Sequence, residues 1–485
     1  MEYTSTRDNA RKATSAEAIV TGLAPDGGLF VPTSLPKMDF SALQGLSYTD
    51  TALQVLQQFL TDYDAAFLQK ALAESYGAGF GGKVGELVRL DDSLYSLELW
   101  HGPTAAFKDY ALQLMPRLLV QAKTMLNDTS ETLVLVATSG DTGGAAQAGF
   151  QDVPGTKITV FYPEDGTSEL QRLQMVTREG GNVGAYGVHG NFDDAQRGVK
   201  AAFVDAALAA ALAAKNKKLS SANSINWGRL VPQVVYYVTS YLKLCEAKRI
   251  RYGDLIDFCV PTGNFGDIMA GWYAKGMGLP IGRLICASNK NNVLTDFLEA
   301  GHYNAKRPFH KTSSPSMDIV VSSNLERLLW HTCGSDATVR AWMADLAEND
   351  GYQVPAEQME RIRETFSAGW ADEAAVYDEL WQVYQEHHYL ADPHTAVALR
   401  VCRETPAGDG RPVVVLSTAS PYKFSRDVLR ALGQPVAEDE FAAVRALEAF
   451  SGVPAPQSLA TLSEKPVRFT DVIDASAIVG VPLTL

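Results

Sequence analysis

Apolar positions along this chain recur in two rhythms. Through Ala52, Val55, Leu56, Phe59 and Leu60 the spacing is helical, with one face turned inwards. Interrupted by a glycine-rich run at 22–32, this rhythm predicts a mostly helical N-terminal unit over residues 14–75. Further on, short apolar runs at 94–99, 133–136, 158–162, 182–188, 255–260, 283–287 and 412–416 alternate with helical stretches. Among the latter are an alanine-rich helix over 195–214, helices over 230–244 and 267–275, and a mostly helical region over 296–395. Unbroken Val/Ile/Leu strands between helices indicate parallel sheets covered on both faces. The expected fold class is therefore α/β, with two parallel-sheet domains and an N-terminal, mostly helical extension. The expected borders are 1–90, 91–220 and 221–485, the last carrying a helical insertion near 296–395.

Composition narrows the function classes. At 485 residues the chain exceeds what a single core holds. A formal charge of −14 disfavours nucleic acid as a partner, while leaving room for local anion pockets. The five cysteines never fall in CxxC spacing, and the eight histidines show no metal-ligand spacing, so no metal is expected. No run approaches the ~18 apolar residues of a membrane span, and the first eight residues are polar. The expectation is a cytoplasmic protein acting on a small molecule, with monomer and homodimer both open.

Three segments carry candidate chemistry. Lys108 stands among apolar or small neighbours (Ala105, Ala106, Phe107, Tyr110, Leu112). It is either an exposed lysine at a helix start or a buried amine with a lowered pKa, able to act as nucleophile and base. Thr138-Ser139-Gly140-Asp141-Thr142-Gly143-Gly144 lies between a strand-like and a helix-like run. Such a loop turns N–H groups towards an anion, and the Ser139 and Thr142 hydroxyls can donate to a carboxylate. Asp141 cannot donate while ionised, so capping or loop orientation is its expected work. Pro261-Thr262-Gly263-Asn264-Phe265-Gly266-Asp267 repeats the arrangement and suits a phosphate, but has no Gly-Lys-Ser/Thr for a nucleoside triphosphate. The literal GxGxxG at 77–82 follows a helical pattern and leads towards a strand, the reverse of a dinucleotide fingerprint. An amine and two anion cradles are what pyridoxal phosphate needs as a Schiff base beside an amino-acid carboxylate.

Together with 5–8, 22–32, 101–109 (HGPTAAFKD), 137–143 (ATSGDTG), 223–229 (NSINWGR), 261–267, 314–318 (SPSMD), 392–396 (DPHTA) and 417–424 (STASPYKF), the chain resembles the threonine synthase family. These are pyridoxal-phosphate enzymes of the tryptophan synthase β-subunit type, and the longer form of the family fits over nearly the whole chain. The resemblance implies pyridoxal 5'-phosphate on Lys108, its phosphate on Gly263, Asn264, Phe265, Gly266 and Asp267, and its ring nitrogen at Thr418. Ser139, Gly140, Asp141 and Thr142 would hold the substrate α-carboxylate, with Arg229 and Asn226 at the substrate phosphate. The implied reaction turns O-phospho-L-homoserine and water into L-threonine and phosphate. Alternatives are a sister dehydratase, which needs no second anion site, and a non-catalytic binding protein on the same scaffold.

Overall fold

The computed structural model describes residues 1–164, 167–405 and 410–485. The larger sheet has six strands in the order Phe366–Trp370, Ile281–Ser288, Ile256–Pro261, Val413–Ser417, Leu94–Glu98 and Glu86–Arg89. Its first five strands are parallel, and the last pairs antiparallel. Every residue of Ile256–Pro261 and Val413–Ser417 is buried, as helices on both faces require. The smaller sheet is wholly parallel, in the order Val472–Asp474, Val183–His189, Thr156–Pro163, Glu131–Ala137 and Lys217–Ser220.

The sheets cut across the borders expected from the sequence. Leu94–Glu98 precedes Lys108, yet it joins the larger sheet beside Val413–Ser417. Val472–Asp474 returns from near the C-terminus to the edge of the smaller sheet. Parallel pairing joins strands distant in sequence, so contiguous segments do not map onto sheets. Phe366–Trp370, inside the stretch expected to be mostly helical, is a strand of the larger sheet; its glycine and serine hide it from an apolar-run reading.

Helix breaks have local causes. The alanine-rich stretch is two helices, Phe192–Val204 and Ala206–Ala213, because Asp205 is extended (φ −77°, ψ 105°). Its carboxylate accepts from Leu208 N at 2.8 Å and caps the second helix. The helix expected over 230–244 starts at Val234, after a 3-10 turn containing Pro232.

The N-terminal unit contains helices Ser15–Thr21, Tyr48–Phe59 and Ala65–Ser75. It also holds a three-stranded antiparallel sheet ordered Asp8–Ala13, Tyr3–Ser5 and Phe30–Pro32, so the glycine-rich interruption brings a strand back. Arg7 ties the unit to the rest of the chain as a fork, with Nε and Nη2 each 2.8 Å from a Glu326 oxygen. The buried Arg327 guanidinium donates to Phe30 O and to Asn324 Oδ1. Asn324 Nδ2 in turn donates to Asn264 O at 2.9 Å, so this unit braces the second glycine loop.

Lys108 opens the short helix Lys108–Leu112, which packs on Asp141–Phe150. At Gly149 the backbones approach so closely that a Cβ would lie 1.8 Å from Leu112 O. Gly149→Ala should therefore lower the unfolding free energy by about 2 kcal/mol in a urea titration, the clash outweighing alanine's better helix propensity. A midpoint equal to that of the parent protein would mean that the two helices part without cost.

Candidate active site

Backbone pairing sets the lysine segment against the residues just beyond the strand Val413–Ser417. Phe107 N donates to Thr418 O at 2.8 Å and Ser420 N to Ala105 O at 3.1 Å, around an Ala106–Ala419 bridge. Ala105 has φ 56°, a left-handed conformation that alanine adopts only under constraint. The turn is locked by Asp109, whose two oxygens accept from Thr104 N at 2.8 Å and Thr104 Oγ1 at 2.7 Å. Burial raises the Asp109 pKa to about 6, against the lowering effect of these two bonds.

Lys108 is the buried amine of the two possibilities, 8% exposed. Its Nζ lies 3.7 Å from Asp141 Oδ2, donates to Ser316 Oγ at 3.3 Å and sits 4.8 Å from the Phe107 ring centroid. Desolvation lowers its pKa to about 8; Asp141 opposes that shift, while Arg229 and Lys423 reinforce it. Asp141 has a firmer partner in Lys423, whose Nζ is 2.6 Å from Oδ1 and which is wholly buried. Gln171 Nε2 donates to the same oxygen at 2.9 Å. Burial alone would raise the Asp141 pKa, but Lys423 and Lys108 hold it well below the usual carboxylate range. Asp141 therefore does not cap its helix; the cap position is Gly140, with no side-chain bond.

Thr138 shapes this loop, its Oγ1 accepting from Gly140 N at 2.9 Å and Gly143 N at 3.0 Å. Gly140 has φ 151°, and a Cβ there would lie 2.4 Å from Gln171. Ser139 and Thr142 are half-buried. Among the described residues, no hydrogen bond takes up the N–H groups of Ser139, Asp141 and Thr142.

The second loop follows Ile256–Pro261 and turns into the helix Gly266–Met277 through Phe265, whose φ is 59°. Its carbonyls are occupied: Ser322 Oγ donates to Gly263 O at 2.7 Å and Asn324 to Asn264 O. The N–H groups from Gly263 to Asp267 have no protein acceptor among the described residues, leaving a ready anion cradle at a helix start. A Cβ on Gly263 would stand 2.8 Å from Ser316 O, so this loop abuts the turn that meets Lys108. Asp267 points its Oδ1 at the hydroxyls of Tyr236 (2.5 Å) and Tyr237 (2.9 Å). Burial raises its pKa to about 6, those hydroxyls and Lys108 acting the other way.

Arg229 is buried, and its Nη1 donates to Ala222 O at 2.6 Å. No carboxylate pairs with it among the described residues, and desolvation lowers its pKa to about 10. Asn226 is fully engaged elsewhere: Nδ2 donates to Ile19 O and Oδ1 accepts from Gly228 N, both at 2.9 Å, with no exposed surface. It caps the turn that carries Arg229 and does not line the site. Thr418 is buried, its carbonyl taken by Phe107 N.

Four side chains at the site escape a reading of spacing alone: Lys423, Gln171, Ser316 and His394. Ser316 N donates to His394 Nε2 at 3.2 Å, and Asp392 lies 2.5 Å from His394 Nδ1. The bond to Asp392 puts the ring proton on Nδ1, leaving Nε2 to accept. Lys423, Ser316 and His394 stand in the segments 417–424, 314–318 and 392–396, but nothing in those segments names their partners.

Residues 2–76 match the threonine synthase N-terminus model, 86–419 the pyridoxal-phosphate dependent enzyme model, and 395–479 the C-terminal threonine synthase model. Threonine synthase-like 1 of Homo sapiens is 39% identical over 432 residues, covering 86% of this chain. The chain spans only 58% of that relative's length. Threonine synthase of Pseudomonas aeruginosa is 39% identical over 441 residues, covering 90% of this chain and 91% of the relative. The crystal structure of PLP-bound threonine synthase from Brucella melitensis superposes with a TM-score of 0.89 at 38% identity, covering 100% of this chain and 98% of the other. The yeast threonine synthase structure gives 0.88 at 32% identity, with the same coverage. An amine between two anion cradles, in a chain so matched from end to end, places this protein in the threonine synthase family of pyridoxal-phosphate-dependent enzymes.

Proposed function

We propose that the chain is a threonine synthase: it converts O-phospho-L-homoserine and water into L-threonine and orthophosphate, the last step of threonine biosynthesis. Its cofactor is pyridoxal 5'-phosphate attached to Lys108. The observation that carries this reading is a buried amine set between two glycine loops that, among the described residues, keep several backbone N–H groups without a protein acceptor: Ser139, Asp141 and Thr142 in the first, and Gly263 to Asp267 in the second. The residues fit the cofactor. The backbone N–H groups of Gly263, Asn264, Phe265, Gly266 and Asp267 would hold its phosphate, where Ser316 O leaves no room for a Cβ on Gly263. The Asp267 carboxylate is drawn away by Tyr236 and Tyr237, so that residue contributes its main chain. Thr418 keeps its hydroxyl for the ring nitrogen.

When bound, pyridoxal phosphate supplies an electron sink for charge developing at the substrate carbons. The chain supplies orientation, dryness and proton transfer. The N–H groups of Ser139, Asp141 and Thr142 and the hydroxyls of Ser139 and Thr142 would seat the α-carboxylate, with Gly140, its own N–H taken by Thr138, making the turn, beside the Asp141 side chain that Lys423 fixes in place. Arg229, a planar fork with no acid partner among the described residues, would clamp the substrate's phosphate and steady it as a leaving group. Lys108, with a pKa near 8, exchanges protons readily at neutral pH, and is our candidate for removing and returning protons at the substrate carbons. The substrate is a small molecule, and we read the cytoplasm as the place of action. Among the described residues no helix is long and apolar enough to cross a membrane.

Lys108→Ala should release no phosphate from O-phospho-L-homoserine and carry no borohydride-trapped cofactor; turnover by this variant would defeat the assignment. Arg229→Ala should raise KM for O-phospho-L-homoserine about 30-fold or more, the cost of losing a buried charge partner, while cofactor absorbance is retained. Loss of cofactor with an unchanged KM would reassign Arg229.

The lowered pKa of Lys108 also has a signature in cofactor-free protein. Between about 8, its folded value, and 10.5, the ordinary value, the unfolded chain binds the extra proton. Stability from this group therefore rises with pH through that window, by up to about 3 kcal/mol. Denaturant titrations of parent and Lys108→Met proteins from pH 7 to 10.5 should diverge in that direction, whereas parallel curves would show that the amine is not perturbed.

A further inference from the structure

The network around Lys108 contains a second lysine that the proposed reaction does not use. Lys423 lies on the 3-10 turn Pro421–Phe424, just beyond the strand that clasps the lysine segment, and has no exposed surface. Its Nζ is 2.6 Å from Asp141 Oδ1 and 3.0 Å from Thr104 O. Gln174 Nε2 also donates to Thr104 O at 3.0 Å, so Lys423 is braced from the lysine segment itself. Burying an ammonium this deeply is costly unless it is paired, and Asp141 is its carboxylate.

The geometry shows what the pairing does to Asp141. Oδ1 accepts from both Lys423 and Gln171. Oδ2, nearer Lys108, is 3.7 Å from its Nζ, well beyond the roughly 2.7–2.9 Å of a charge-assisted hydrogen bond. Ser316 Oγ lies beside both, 3.3 Å from Nζ and 3.5 Å from Oδ2, so the three atoms form a nearly equilateral triangle. The other charged groups facing the amine are Arg229 and Asp267; Arg229 disfavours its charge and Asp267 favours it. Without Lys423, Asp141 would have one ammonium to satisfy, and that ammonium would be Lys108.

We propose that Lys423 is a positioning residue for the reactive lysine: by holding the Asp141 carboxylate, it keeps the Lys108 amine out of a closed ion pair. The inference rests on Lys108 being the cofactor anchor. In cofactor capture the unprotonated amine adds to the aldehyde carbon, and the carbonyl oxygen leaves as water. A tightly paired ammonium has no lone pair for that addition. Lys423 thus sets the fraction of Lys108 available near neutrality, through the charge on Asp141.

The test is the pH dependence of pyridoxal phosphate capture by cofactor-free full-length protein, followed by absorbance and by the mass of the borohydride-trapped peptide. Lys423→Met should move the apparent pKa of capture upwards by about one unit and slow capture at pH 7 about ten-fold. Lys423→Arg, which keeps the charge, should retain the parent profile. Asp141→Asn/Lys423→Met removes both charges of the pair at once and strands neither, so it carries the test even if Lys423→Met fails to fold; its profile should return to that of the parent. A folded Lys423→Met with the parent profile overturns the proposal, as does a double variant that remains shifted upwards. Trapping of cofactor on Lys108→Ala protein would instead overturn the anchor assignment, and this proposal with it.

Discussion

One buried carboxylate organises the centre of this protein. Asp141 sits between Lys423 at 2.6 Å and Lys108 at 3.7 Å, in a region from which water is almost excluded. In that setting an unpaired charge costs several kcal/mol, so the three groups must be placed together or not at all. They come from three remote stretches of chain: the helix after Glu131–Ala137, the helix after Leu94–Glu98 and the turn after Val413–Ser417. With Arg229 close by, the centre carries an excess of positive charge inside a chain whose net charge is −14. That local excess suits anionic groups such as a phosphate or a carboxylate.

Around this centre, hydrogen bonds to backbone groups shape the loops. Thr138 folds the first glycine loop through one hydroxyl that accepts from two N–H groups. Asp318 does comparable work for the turn carrying Ser316: its oxygens accept from Asn289, Asn291 and Thr312 at 2.7–2.9 Å. The second glycine loop is held by its carbonyls, through Ser322 and Asn324, while among the described residues its N–H groups from Gly263 to Asp267 have no protein acceptor. Through Arg327 and Asn324 the N-terminal unit reaches that loop, so a region with no residue in the centre still shapes it.

Much of this was legible in the residue pattern. Buried strands of the Val/Ile/Leu type, the two glycine loops and the isolated lysine each announce themselves over fewer than ten residues, because their physics is local. Burial of Lys108 was an open choice that its apolar neighbours favoured. Less local features were hidden. Asn226 looks like a polar group free for a ligand, and only the fold shows both ends of its amide spent on Ile19 and Gly228. Asp141 looks like a capping residue, and only the arrival of Lys423, 282 positions later, makes it the hub of an ion network. Strands such as Phe366–Trp370 and Val472–Asp474 carry too little apolar signal to be seen before their partners are known.

The amino-acid order by itself therefore determined the class of fold, the two glycine loops between strand and helix, and a lysine among apolar neighbours as the candidate amine. Short-range constraints govern these: side-chain period, glycine's freedom to turn and the need to cover apolar strands. Tertiary structure alone decided which sheet received Leu94–Glu98, which ammonium Asp141 took and which polar groups were left unspent. Those outcomes depend on pairing across hundreds of residues, where a buried donor or charge takes the partner that folding brings within about 3 Å, and nothing near it in the sequence names that partner.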